Sequence, residues 1–189
     1  MKILVVDDQE DARIILKMAL EADGHDVATA ENGKEALELA LPSPPDAIIS
    51  DILMPGMDGF HLCREVRSDE TLRDTHFIFY TATYKERRDE ELAMKLGADA
   101  FLVKPMDPAE FMRAVKAAME KEVNKGSPEP EPEVAVLRLY NERLVKKLEK
   151  KMLDLERKES ALAMGIREFI MKPLALKELS EAVRKALGG

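Results

Sequence analysis

The sequence predicts an α/β chain whose first two-thirds is a doubly wound parallel sheet, and three observations predict it. Five short apolar runs recur along residues 1–122, amphipathic stretches of helical spacing separate them, and Gly or Pro falls where those helices should end or begin. Strict alternation of strand and helix demands crossovers, which place helices on both faces of a parallel sheet. Right-handed crossovers reduce the topologies to a few doubly wound orders.

The elements follow in order. Lys2–Val6 opens the sheet, and Glu10–Ala22 is the first amphipathic helix, closed by Gly24. His25–Ala30 and Gly33–Leu41 form the second strand and helix, and Asp46–Ser50 and Gly59–Arg67 the third pair. Phe77–Tyr80 precedes a helix over Lys85–Leu96, which Gly97 terminates. Ala100–Val103 is the fifth strand, and Pro108–Lys121 the last helix of this set, with Pro108 suited to a first helical position. The strand runs are short and mostly β-branched or aromatic, as strands buried on both faces require.

Composition narrows the function classes. The 189 residues allow one domain or two small ones. Charged residues reach 35%, aromatics only 5%, and 29 basic against 37 acidic side chains leave a net charge of −8. That balance argues against a general binder of nucleic acid or anionic membranes. One cysteine excludes an internal disulfide framework, and no Cys/His pair has zinc spacing. The apolar run Ile3–Val6 is too short for a signal peptide or a membrane span, so a soluble cytoplasmic protein is the expectation.

Charge also marks a boundary. Residues 1–122 carry 15 basic and 26 acidic side chains, whereas residues 123–189 carry 14 and 11. The change falls at Gly126-Ser-Pro-Glu-Pro-Glu-Pro-Glu133, where prolines alternate with acids in an extended, semi-rigid spacer. Four segments are expected: a domain over 1–122, a Pro/Glu-rich linker over 123–133, a long helix over 134–160 and a tail over 161–189.

Chemistry concentrates at strand ends. Asp7 and Asp8 follow the first strand, Asp51 the third, Thr81 the fourth and Lys104 the fifth. In an open parallel sheet those ends share one edge, where ligands bind. Converged carboxylates repel unless they protonate or hold a cation, and an all-oxygen set favours a hard ion such as Mg²⁺. Mg²⁺ keeps positions open for phosphate oxygens, and an Asp carboxylate can form an acyl phosphate. Asp51 is the best candidate nucleophile, being central and just before the loop Met54-Pro-Gly-Met-Asp-Gly59. Singly, each signal is weak: paired acids usually mark an exposed turn, and Lys-Pro an ordinary strand terminus. Together, five compatible residues at the matching ends of four strands carry weight.

These stretches resemble a known family. Ile3-Leu-Val-Val-Asp-Asp8, Ala30-Glu-Asn-Gly-Lys-Glu-Ala-Leu37, Asp51-Ile-Leu-Met-Pro-Gly-Met-Asp-Gly59, Tyr80-Thr-Ala82 and Phe101-Leu-Val-Lys-Pro105 are similar, in type, order and spacing, to the response-regulator receiver domain of two-component signalling, the CheY-like module. The resemblance implies a flavodoxin-like sheet in the order 2-1-3-4-5. It makes Asp51 the phosphoacceptor, Asp8 and Asp51 direct Mg²⁺ ligands, Asp7 a ligand mostly through water, and the Leu53 backbone carbonyl a further one. Lys104 would contact the phosphoryl group, Thr81 would be the switch hydroxyl and Phe101 the switch aromatic. Phe101 could equally be plain core. A sensor histidine kinase or histidine phosphotransfer protein would supply the phosphoryl group. Phosphorylation would remodel the face of helix 4, strand 5 and helix 5 toward a downstream protein target.

The three histidines (His25, His61 and His76) and Cys63 lie inside or beside these elements, and none is assigned chemistry. A rival class, a Mg²⁺-dependent phosphatase or phosphotransferase using Asp51 transiently, shares the pocket and differs in turnover of a small substrate. A transcription factor would need a helix-turn-helix, and residues 134–189 show no recognition-helix pattern.

Val134–Ser160 has no Gly or Pro and would extend roughly 40 Å as one helix. A heptad register puts Val134, Asn141, Leu148 and Leu155 at a, with Leu137, Leu144 and Lys151 at d, which allows a homodimer without demanding one. A helix packed on its own receiver fits the pattern nearly as well. The cluster Lys146, Lys147, Lys150 and Lys151 is most simply its solvated face. Finally, Gly165-Ile-Arg-Glu-Phe-Ile-Met-Lys-Pro173 repeats Gly97-Ala-Asp-Ala-Phe-Leu-Val-Lys-Pro105 at a constant offset of 68. This looks like the strand 5–helix 5 end of a second receiver, without the acidic residues upstream.

Overall fold

A computed structural model describes residues 1–82 and 87–126 of the chain. The helix expected over 134–160, the repeat in 161–189 and most of the Pro/Glu-rich linker lie outside the described residues. Five parallel strands and five helices alternate within them: β1 (Lys2–Val6), α1 (Glu10–Ala22), β2 (Asp26–Ala30), α2 (Gly33–Ala40), β3 (Ala47–Ser50), α3 (Gly59–Ser68), β4 (His76–Thr81), α4 (Arg87–Lys95), β5 (Ala100–Val103) and α5 (Pro108–Met119). The sheet order is β2-β1-β3-β4-β5, as the resemblance implies. Among the described residues, no helix is long and apolar enough to cross a membrane.

Burial follows position in the sheet. Every residue of β3 and all of β1 after Lys2 are buried, whereas edge strand β2 alternates with solvent. On one face Ile3, Val5, Ile49 and Ile78 pack with Leu16 and Leu20 of α1 and Phe111 and Val115 of α5. The opposite face carries Phe77 and Phe79, whose ring meets Phe60 of α3 edge-on at 5.3 Å.

Side chains and glycines set the helix limits. Asn32, Asp58 and Asp107 cap α2, α3 and α5 by accepting backbone N–H bonds. Gly24 and Gly97 both take positive φ, at 87° and 102°. Each closes a Schellman turn: His25 N–H donates to the Leu20 carbonyl, and Ala98 N–H to that of Ala93. The first of these turns explains why β2 begins at Asp26 and not at His25, since the His25 N–H is spent on the cap. In contrast, β4 is longer than the apolar run predicts, because Ala47 pairs with His76 and Thr81 with Val103.

Opposite the strand ends that carry the acids, a buried ionic network closes the sheet. Asp99 accepts the Phe77 N–H at 2.7 Å, the Arg67 guanidinium at 3.1 Å and the Asn124 N–H at 2.5 Å. The Asn124 amide donates to the carbonyls of Met94 and Ala98, and Arg67 Nε to that of Asn124. Asn124 lies within the segment expected to be spacer, and these bonds fasten it to α3, to α4 and to the turn before β5.

Candidate functional site

The topology brings the strand-end residues together. Pairing of β1 with β3 places Asp51 beside Asp7, and the backbone reinforces this: Asp51 N–H donates to the Val6 carbonyl at 2.8 Å and Asp7 N–H to that of Ala30 at 3.1 Å. Lys104 N–H donates to the Thr81 carbonyl at 2.8 Å, continuing the β4–β5 ladder by one residue. Ligand oxygens of Asp7, Asp8 and Asp51 all lie within 4.8 Å of one another.

Each carboxylate has a different environment. Asp7 is buried, with one oxygen accepting the Gln9 N–H at 2.9 Å and the other the Lys104 ammonium at 2.5 Å. Asp8 is half-buried, yet its Oδ1 is enclosed without a hydrogen-bond partner. Asp51 is buried, and its Oδ1 accepts the Ile52 N–H at 2.7 Å while Oδ2 lies 3.9 Å from Lys104 Nζ. Burial pushes the Asp51 carboxyl above its ordinary value. The Lys104 charge opposes that rise, Asp7 adds to it, and hydrogen bonds from Thr81 and the Ile52 N–H again oppose it.

An enclosed acceptor without a donor is costly unless something positive meets it. The Asp8 oxygen, beside two further carboxylates and no His or Cys, therefore fits a hard divalent cation. Lys104 offsets only part of the local negative charge.

The remaining expected residues lie on β4, on the loop after β3 and on β5. Thr81 is fully buried at the end of β4, and its hydroxyl bonds to Asp51. Leu53 is buried two positions beyond Asp51. Phe101 is half-buried, its ring 6.4 Å from that of Phe79 on the neighbouring strand. Cys63 stands apart, fully buried on α3, and burial pushes its thiol up to about 12.

Two features escaped the sequence reading. Tyr80 places its ring under the Lys104 ammonium, 5.2 Å from Nζ to centroid; its position one residue before Thr81 was the available signal. Gly59 lies against the Asp51 main chain, so close that a Cβ there would meet the Asp51 carbonyl.

Comparison with known proteins adds independent findings. The family model for the response regulator receiver domain matches residues 3–116. The chain is 38% identical over 121 residues to the alkaline phosphatase synthesis transcriptional regulatory protein PhoP of Bacillus subtilis, covering 64% of this chain and 49% of that protein. It is 41% identical over 116 residues to an uncharacterized 14.6 kDa protein of Leptolyngbya boryana, covering 61% of this chain and 88% of that one. The chain thus spans about half the length of PhoP. Among solved structures, the chemotaxis response regulator CheY4 of Vibrio cholerae aligns at TM-score 0.59 and 32% identity, over 62% of this chain and 97% of that one. A response regulator, described as putative, from Chloroflexus aurantiacus aligns at TM-score 0.60 and 32% identity, over 64% and 98%.

Proposed function

The chain belongs to the response regulator receiver domain family, and from that premise we propose that it accepts a phosphoryl group on Asp51 from a histidine kinase or histidine phosphotransfer protein. The observation that carries this reading is the enclosed, partnerless oxygen of Asp8 within reach of Asp7 and Asp51. Asp8, Asp51 and the Leu53 carbonyl would hold Mg²⁺ directly, with Asp7 acting mostly through water. Bound Mg²⁺ would neutralise charge on the transferring phosphoryl oxygens.

The chain's own residues then supply the rest. An Asp51 carboxylate oxygen attacks the phosphorus, and the phosphorus–nitrogen bond of the donor breaks with its electron pair returning to the imidazole. Lys104, 3.9 Å from Asp51 Oδ2, is placed to leave Asp7 and donate to the new phosphoryl oxygens. The product adds roughly two negative charges and three acceptor oxygens at Asp51. The Thr81 hydroxyl, already bonded to that carboxylate, would follow the phosphoryl group, and Phe101 would move into the space released. That change biases the α4–β5–α5 face toward a downstream protein target.

The heptad pattern of residues 134–160 supports self-association as a route of output, which solution mass with and without a phosphoryl mimic would reveal. For the acceptor itself, Asp51→Asn should abolish labelling by acetyl phosphate in Mg²⁺. Undiminished labelling of that variant would move the acceptor to another residue.

A further inference from the structure

Resting on the assignment of Lys104 to the phosphoryl group, we propose that Tyr80 is a positioning residue for that reaction, its aromatic face holding the Lys104 ammonium over the carboxylate cluster. In the sheet order β4 lies between β5 and β3. The Lys104 side chain, rooted just past β5, must therefore cross the end of β4 to reach Asp7 and Asp51. Tyr80 is the penultimate residue of β4 and directly opposes Leu102 of β5. Its ring meets the crossing ammonium, with Nζ 5.2 Å from the centroid, inside the range of cation–π attraction.

The ring is itself held. Tyr80 is half-buried at the margin of the core between the sheet and α5, with its centroid 4.8 Å from that of Phe111. The Lys104 side chain is only 17% exposed, so water screens the contact weakly. A lysine has four rotatable bonds and a strongly hydrated head, so its ammonium would otherwise sample the solvent beyond the strand ends. The tyrosine face and the Asp7 carboxylate both attract it. This arrangement limits the ammonium to the short path between Asp7 and Asp51.

Tyr80→Leu removes the π face, and Tyr80→Phe retains it without the hydroxyl. We expect the leucine variant to lose about three- to tenfold in labelling rate by acetyl phosphate, the factor matching a partly desolvated cation–π contact. The phenylalanine variant should stay near the parent. The contact itself has a readout of its own: the Lys104 ε-methylene resonance of the metal-free parent should show an upfield ring-current shift, retained in Tyr80→Phe. That measurement on the parent does not depend on the leucine variant folding. Absence of the shift, or equal labelling rates in all three proteins, would overturn the positioning role. Asp51→Asn separates the two ideas, because labelling that survives it refutes the acceptor assignment, whatever Tyr80 does.

Discussion

A Cβ placed on Gly59 would stand 2.2 Å from the carbonyl oxygen of Asp51. The first residue of α3 and the candidate phosphoacceptor are therefore in direct main-chain contact. Gly59 N–H donates to the Ile52 carbonyl at 2.9 Å, and Asp58 caps the helix by accepting the His61 N–H. The loop after β3 is thus closed on the one residue type that leaves room for it. Gly59→Ala should push the Asp51 main chain away, destabilising the fold by about 1–3 kcal/mol as overpacking does. Labelling should fall as well. Urea unfolding and acetyl phosphate labelling check both, and a variant matching the parent in each would show that the contact does not constrain the acceptor.

The electrostatics of Asp51 predict a pH dependence with a definite sign. Burial raises its carboxyl above the ordinary 3.8, so the folded state binds the proton more tightly than the unfolded chain does. The stabilisation from that proton is fully present below the ordinary carboxylate value and is lost as pH rises through the raised one. Without divalent ions, this group should make the protein less stable as pH rises across that window. Asp51→Asn should flatten that fall, and Mg²⁺ should raise Tm above it in the parent but not in Asp8→Ala. Thermal unfolding against pH, with EDTA or Mg²⁺, decides it: a Mg²⁺ shift of equal size in Asp8→Ala would remove Asp8 from the cation site.

The sheet and its acidic edge were legible because both are written in local patterns. Apolar runs such as Ile3–Val6 mark buried strands, Gly24 and Gly97 mark helix ends, and parallel topology brings Asp7, Asp51, Thr81 and Lys104 to one edge. The Tyr80 contact was hidden because an aromatic in a strand reads first as core. The Arg67–Asp99–Asn124 network was hidden for a different reason. Its members stand 25 or more residues apart, and none sits in a recurring spacing; only the folded chain shows that Asp99 faces inward. A surplus of charge reads as solvated surface until a partner appears.

That network carries the third prediction. Both side chains of the Arg67–Asp99 pair are nearly inaccessible, at 6% and 1% exposure. Asp99→Ala leaves the guanidinium buried without its counter-ion and removes the acceptor for the Phe77 and Asn124 N–H groups. Breaking one side of such a pair costs about 3–5 kcal/mol. Asn124→Ala removes the amide bonds to Met94 and Ala98 and the side-chain acceptor for the Gly126 N–H, and should cost on the order of 1–3 kcal/mol. Denaturant unfolding of the two variants gives the ordering, and an Asp99→Ala loss smaller than that of Asn124→Ala would contradict it.

With Asp51 as the acceptor, Thr81→Ala should separate chemistry from signal. Its hydroxyl is fully buried and bonded to the Asp51 carboxylate, while its main chain accepts from Lys104 N–H, a bond that alanine keeps. Thr81→Ala should therefore leave the pocket assembled and labelling of Asp51 largely intact. The lost hydroxyl opposes the raised Asp51 carboxyl, so removing it should move that carboxyl further up, a direction that carbon NMR titration of Asp51 can read in the metal-free protein. The consequence for signalling is larger, because nothing would then draw the end of β4 toward the phosphoryl group. Any phosphorylation-dependent change in solution mass, or in the chemical shifts of Phe101 and α5, should shrink in the variant. If phosphorylated Thr81→Ala reproduces the full spectral change of the parent, the hydroxyl is not the coupling element, and the displacement must run through Lys104 instead.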